Sequence, residues 1–278
     1  MSTQNALLTI LIEKINNDTL VLPTLPAIAL EVRKAADDPD INLNTMGEVI
    51  EQDPSLSARM IKIANSAYMG RSVKVTSVNQ AVTRIGLRQI KSISTALAME
   101  QLFVTKNEVV AKYMEQEWSN TVSVVANSMS ALQLYIARTK KREISMDTMT
   151  LAALIHNIGV LPILTEAERH KEVFANPTFL EVAIEKLSGR IGGVIMREWG
   201  FGDQFAYIAE NWRNLQEIPE KLSYIDFIRL GAAQAGLMNK QKDAVFNLAV
   251  QRGVIEEVST LSSDEFKELS HSAAAIFS

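Results

Sequence analysis

The sequence contains no cysteine among its 278 residues and only three histidines. Without cysteine there can be no disulfide and no thiolate metal site, which fits an intracellular protein. We expect no membrane segment, because no window looks long and apolar enough to span a bilayer. The N-terminus "MSTQNALLTILIEKI" lacks the basic start and the unbroken apolar run of a signal peptide. These absences predict a cytoplasmic protein.

Acidic residues are missing from one long stretch of the chain. No Asp or Glu occurs between Pro54 and Met99, although the whole chain carries a net charge of −4. The same stretch contains seven basic residues: Arg59, Lys62, Arg71, Lys74, Arg84, Arg88 and Lys91. This asymmetry predicts that the basic stretch faces an acidic surface. That surface belongs to another protein, to a nucleic acid or to the acidic remainder of the chain itself.

Strand patterns are nearly absent, and apolar residues recur with helical spacing along the whole chain. The pattern predicts an all-α fold built from many short helices. Asp53 and Asp147 are candidate N-caps, and Gly70 and Gly86 are candidate helix ends. The predicted helices are 3–18, 22–40, 53–70, a pair broken at Gly86 within 77–103, 108–139, 147–156, 178–187, 190–199, 203–212, 220–239, 243–251 and 263–271.

His156, at a helix end in "LAALIHNIGV", is the best candidate for metal chemistry. Metal-assisted phosphoester hydrolysis needs several histidines and carboxylates that converge on the ions, but His170 and His271 do not look directed at His156. We therefore favour a buried structural histidine and expect no cofactor, although oxygen ligands leave metal binding open. A Ser–His–Asp triad also stays open, because its order along the chain is free.

Three other stretches each allow two interpretations. The glycines of "GRIGGV" (189–194) are a weak phosphate-loop signal, and close helix packing is the preferred explanation. The helix–Gly–helix pattern around Gly86 resembles a DNA-binding motif, but two packed helices with basic faces explain it better. Asn65 and Ser66 lie in a predicted helix interior, where they contact either a partner or the backbone of a neighbouring loop.

Three motifs together resemble the HDOD (HD-related output) domain of bacterial signalling proteins. They are "EQDPSLSARMIKIANSAYMG", "SVNQAVTRIGLRQIKSI" and "LAALIHNIGVLPIL", and the resemblance runs from about Leu22 to Arg213. It implies the all-helical core of the HD-type, phosphodiesterase-like metal phosphohydrolases, with an N-terminal helical lobe. The implied domains are a helix (1–19), the HDOD domain (20–215, with lobes 20–103 and 104–215) and a helical extension (216–278).

The resemblance also implies a degenerate metal site. The hydrolase ligands would fall on vestigial positions: Asn120, His156, Asn157, about Ser188, Asn211–Trp212 and Asp226. Amide oxygens bring no charge to offset the desolvation of a cation. Asn157 can bond its neighbours where an ionised Asp without a metal would be a buried unpaired charge.

The sequence therefore predicts a non-catalytic signalling module that docks to another signalling protein, with a homodimer as a further possibility. The predicted docking residues are Arg59, Asn65, Ser66, Arg84, Arg88 and Lys91. The alternatives are a residual metal-dependent phosphohydrolase acting on a nucleotide or cyclic dinucleotide, and nucleic-acid binding through the basic 54–99 region. We do not expect nucleic acid or a membrane to be the partner.

Overall fold

The computed structural model describes residues 3–66, 69, 73–170 and 177–277, and within these ranges the chain is helical without a strand. The all-α prediction is confirmed. The helices are α1 (Thr3–Asn16), α2 (Ala27–Ala36), α3 (Leu43–Glu51), α4 (Pro54–Ala64), α5 (Val78–Ile85), α6 (Leu87–Glu100), α7 (Glu108–Thr139), α8 (Met146–Ile155), α9 (Val160–Ala167), α10 (Pro177–Glu198), α11 (Asp203–Asn211), α12 (Tyr224–Gln234), α13 (Lys242–Gln251) and α14 (Asp264–Ala274).

The chain forms two compact units, each assembled from separated segments. The first comprises Met1–Thr24, Leu102–Thr121 and Leu154–Glu220, and the second comprises Leu25–Gln101, Val122–Ala153 and Lys221–Ser278. The long helix α7 therefore supplies residues to both units. The contiguous domain boundaries drawn from the sequence stay a prediction.

Most helix boundaries follow from local sequence signals. Asp53 caps α4 by accepting the Leu56 amide at 2.9 Å, and Gly86, at φ 88°, separates α5 from α6 as predicted. The long α7 was also predicted over the same residues. The predicted Asp147 cap is wrong, because the Ser145 hydroxyl accepts the Thr148 amide and Asp147 lies inside the first turn of α8.

Other boundaries differ from the sequence prediction. Helix α4 ends at Ala64, so Asn65 is its C-cap rather than an interior residue. The predicted stop at Gly70 and the basic residue Arg71 lie outside the described residues. The two helices predicted over 178–199 are one continuous helix, α10, whose glycines do not break it. Helix α12 covers only part of the predicted 220–239, and the short helices α3 and α9 were not predicted.

Glycines allow close helix contacts in the first unit. A Cβ on Gly159 would lie 1.9 Å from the Ser188 carbonyl oxygen and 2.6 Å from the Gly192 amide nitrogen. A Cβ on Gly189 would lie 2.7 Å from the carbonyl oxygen of Glu210. The glycines of "GRIGGV" thus bring α10 against the start of α9 and the end of α11, which confirms close packing as their role.

The expectation that no segment could span a membrane by length and composition is wrong. Among the described residues, the stretch Met146–Ala167 passes that test. Most of it is buried inside the fold, and a turn over 156–159 interrupts it between α8 and α9. Its apolar character is that of core helices.

Candidate functional site

The first unit brings together three of the vestigial positions, Asn120, Asn157 and Ser188. Asn157 lies in the turn between α8 and α9, Asn120 lies on α7, and Ser188 lies on α10. Two residues that sequence analysis did not select, Glu117 and Arg213, connect them through hydrogen bonds. We call these five side chains the pocket network.

Asn157 is the centre of the pocket network. Its amide Nδ2 donates to Glu117 Oε2 at 2.8 Å, and its Oδ1 accepts from Arg213 Nη1 at 2.9 Å. Arg213 Nη1 also donates to Ser188 Oγ at 3.1 Å. A single amide therefore bridges a carboxylate and a guanidinium.

The carboxylate end of the pocket network lies on α7. Asn120 hydrogen bonds to Glu117, which is three residues earlier and thus on the same helix face. The Asn120 Oδ1 atom accepts from Gln116 Nε2 at 3.0 Å. Burial raises the pKa of Glu117 above its ordinary value of 4.5, although Arg213, Asn120 and Asn157 each stabilise the anion.

The guanidinium end lies just after α11. The Arg213 guanidinium lies 3.8 Å from the centre of the Trp212 ring, over its face. Burial lowers the pKa of Arg213 to about 10. The carboxylates of Glu117 and Glu185 act in the opposite direction and raise this pKa. Arg213 therefore remains a cation at neutral pH.

His156 is buried beside the pocket network. Its side chain is 1% exposed, and its ring meets the Trp212 ring edge-on with centroids 4.7 Å apart. The other histidines have different surroundings: His170 Nε2 lies 3.7 Å from Glu166 Oε1, and His271 is exposed on α14 in the second unit. Another tryptophan of the first unit, Trp199, donates its indole N–H to the Pro23 carbonyl oxygen at 3.0 Å.

Asp226, the last vestigial position, belongs to the second unit and makes its contacts there. Its Oδ1 lies 2.7 Å from Arg252 Nε, and its Oδ2 accepts the Ser223 amide at 2.8 Å, which completes a capping box at the start of α12. This carboxylate thus serves a helix end and an ion pair.

The pocket residues do not fit a divalent metal pair of the kind that the resemblance implies. Asn120, Asn157 and Ser188 are neutral, and their polar atoms bond to Glu117 and Arg213. The guanidinium is itself a cation and would repel a metal ion at the same place. Across the described residues, no three His, Asp or Glu side chains are grouped so that they could hold a metal.

The predicted docking residues lie in the second unit, where most make intramolecular contacts. Arg59 pairs with Glu100, Lys91 pairs with Asp37, and the exposed Arg88 is close enough to Asp147 to stabilise its carboxylate. Arg84 donates to the backbone carbonyls of Ala64 and Val73 at 3.0 and 2.5 Å. Part of the basic charge is therefore met by acidic groups of the same unit.

Asn65 and Ser66 likewise bond to nearby backbone. The Asn65 side chain donates to the Val75 carbonyl at 2.8 Å and accepts from the Val75 amide at 2.7 Å. These two bonds hold Val75 against the C-terminal end of α4. Ser66 donates to the Ile63 carbonyl at 2.7 Å. The Asn65 bonds are the predicted contacts with the backbone of a neighbouring loop, whereas Ser66 bonds to the last turn of its own helix, α4. Partner binding by both residues stays a prediction.

Several known proteins are similar to this chain. A Shewanella amazonensis protein described as a "putative metal-dependent phosphohydrolase" is 40% identical over 100% of both chains, with a TM-score of 0.94. A Marinobacter aquaeolei protein described as a "putative signal transduction protein" is 20% identical, with a TM-score of 0.63, over 99% of this chain and 65% of its own. A curated protein of Treponema pallidum is 24% identical over 72% of this chain, which spans only 39% of that relative's length.

The family model of the HDOD domain matches residues 22–214, which is close to the extent of the resemblance seen in the motifs. With that match and the all-helical fold established, the chain belongs to the HDOD domain family.

Proposed function

We propose that this chain is a non-catalytic signalling and regulatory module that acts by docking to another protein. The observation that carries the proposal is the pocket network. The polar atoms that would have to face catalytic ions bond instead to Glu117 and Arg213. Side chains that bond to one another in this way support a structural role for the pocket rather than hydrolysis.

The exposed basic residues of the second unit are the docking surface of this proposal. Arg88 is exposed and Lys91 is partly exposed on α6, and their acidic neighbours Asp37 and Asp147 lie in the same unit. An acidic partner segment would compete with those neighbours for the same cations, which makes association sensitive to charge reversal. A second signalling protein or a second copy of this chain is the partner that the proposal expects.

Affinity capture with the purified chain tests the docking proposal. The double variant Arg88→Glu, Lys91→Glu should lose partners that the wild-type chain retains. Arg84 is unsuitable for reversal, because it holds two backbone carbonyls. The matched control is Lys240→Glu, Lys267→Glu, which reverses two exposed cations elsewhere in the second unit. Identical partners for wild type and the Arg88, Lys91 variant would reject this docking surface.

A residual metal-dependent phosphohydrolase is the second candidate, and it is favoured by the likeness to the 40% identical Shewanella protein described as a "putative metal-dependent phosphohydrolase". In this chain it would depend on His156, the one strong metal ligand among the vestigial positions of the first unit. Hydrolysis of a generic phosphodiester that is lost in His156→Ala would support this candidate over docking.

A further inference from the structure

Arg213 has hydrogen-bond donors that the pocket network does not use. A guanidinium carries five N–H groups, and here only Nη1 is engaged, with Asn157 and Ser188. Within the part of the chain that the structure describes, Nε and Nη2 meet no acceptor, and no carboxylate comes within ion-pair distance of Arg213. The Nε and Nη2 atoms form the edge of the guanidinium that matches an oxyanion with two parallel hydrogen bonds.

This edge is held in a fixed orientation. The guanidinium face is stacked on Trp212 at 3.8 Å, and Trp212 is itself 1% exposed. Two hydrogen bonds from Nη1 fix rotation about the side chain. Because the fold already orders this side chain, a ligand that binds Arg213 loses little further side-chain entropy. Arg213 as a whole residue is partly exposed.

The surroundings favour a singly charged ligand over a doubly charged one. The carboxylates of Glu117 and Glu185 are near enough to act on Arg213 electrostatically, although neither contacts it. Their negative potential repels a dianion about twice as strongly as a monoanion. A carboxylate group is singly charged and planar, and it fits the guanidinium edge in two-point geometry.

We propose that the Nε/Nη2 edge of Arg213 is a binding site for the carboxylate group of a small ligand. The site would give the module a chemical input that is independent of the basic docking surface. This proposal goes beyond the docking function, and the two can fail separately. If the chain docks to a partner but binds no small acid, only the ligand site is refuted.

Nuclear magnetic resonance of the arginine Nε–H groups tests the site in the full-length chain. Acetate is the probe, sodium chloride holds the ionic strength constant, and sulfate is the dianion for comparison. The Nε–H signal of Arg213, assigned in the wild-type chain by through-bond correlation to its backbone amide, should shift saturably with acetate and more weakly with sulfate. Arg213→Lys, followed through the indole signal of Trp212, on which the guanidinium is stacked, should weaken acetate binding about tenfold or more, since it removes the two-point geometry.

Arg197 provides the matched control. It lies in the same unit, but its Nη1 already donates to Glu210 at 2.8 Å. Arg197→Gln should leave the acetate titration of Arg213 unchanged. An unshifted Arg213 signal in the wild-type chain, or equal shifts with acetate, sulfate and chloride, would overturn the proposal even if Arg213→Lys fails to fold.

Discussion

The side chain of Asn157 donates its amide proton to the Glu117 carboxylate at 2.8 Å, a bond that an aspartate at position 157 could not make. An aspartate would instead set two carboxylates against each other. The same amide accepts from Arg213, so asparagine is the residue that can serve a carboxylate and a guanidinium at once. This explains why His156 is followed by an asparagine rather than by an aspartate.

Asn157→Asp should destabilise the protein. The variant loses the donor to Glu117 and adds a second partly buried anion, which we expect to cost about 1–3 kcal/mol at neutral pH. Urea unfolding of wild type and variant measures this difference. Asn214→Asp is the control, because its exposed side-chain oxygen accepts the Gln216 amide and aspartate can do the same. Equal small effects of the two substitutions would contradict the role given to Asn157.

Glu117 should make the stability of the chain depend on pH. Burial raises the folded-state pKa of this carboxyl above 4.5, so the folded chain holds its proton to higher pH than the unfolded chain. Stability contributed by protonated Glu117 is therefore lost as the pH rises from about 4.5 through the folded-state pKa. Glu117→Gln removes that loss, and the variant should gain stability relative to wild type over this range.

Unfolding measured from acid to neutral pH tests this sign. Glu115→Gln, on the exposed side of the same helix, is the control for removal of one negative charge. If the stability difference between Glu117→Gln and wild type stays constant with pH, the buried character assigned to Glu117 is wrong.

Gly159→Ala should disrupt the first unit. The added Cβ would overlap two backbone groups, the Ser188 carbonyl and the Gly192 amide, which belong to α10 and cannot move independently. We expect a loss of about 3 kcal/mol or more in the free energy of unfolding. Gly193→Ala is the comparison, since its Cβ would meet only the flexible side chain of Glu210 and should change stability by about 1 kcal/mol or less. Similar costs for both would refute the backbone contact.

Asn65→Ala tests the loop anchor in the second unit. Removal of the paired hydrogen bonds to Val75 should cost about 1–2 kcal/mol in thermal or urea unfolding. Asn44→Ala, at an exposed position of α3, should have little effect. A stable Asn65→Ala variant that nevertheless loses a captured partner would instead favour a direct role of Asn65 in docking.

Much of the fold could be predicted from local signals in the sequence. The start of α4 is marked by the capping residue Asp53, and the end of α5 is marked by Gly86. The extent of α7 follows from its uninterrupted helical periodicity. Other features were missed because they depend on tertiary contacts. Two helices were predicted over 178–199, yet the glycines there lie inside one helix, and α9 and α11 approach its backbone at these glycines.

The pocket was only half predictable. Family resemblance located Asn120, His156 and Asn157 but said nothing of what replaces a metal. Glu117 could have been noticed, because it lies three residues before Asn120 on the same helix face. Arg213 could not, since its partners are 25 and 56 residues away in sequence and only the fold brings them together.

Metal analysis of the purified chain, after incubation with Mn²⁺, Fe²⁺ or Zn²⁺ and removal of free ions, tests the central claim most directly. The pocket network predicts well under one bound ion per chain, with no change in His156→Ala. One or two tightly bound ions per chain that are lost in His156→Ala would contradict it, and the chain would then have to be treated as a metal-dependent hydrolase.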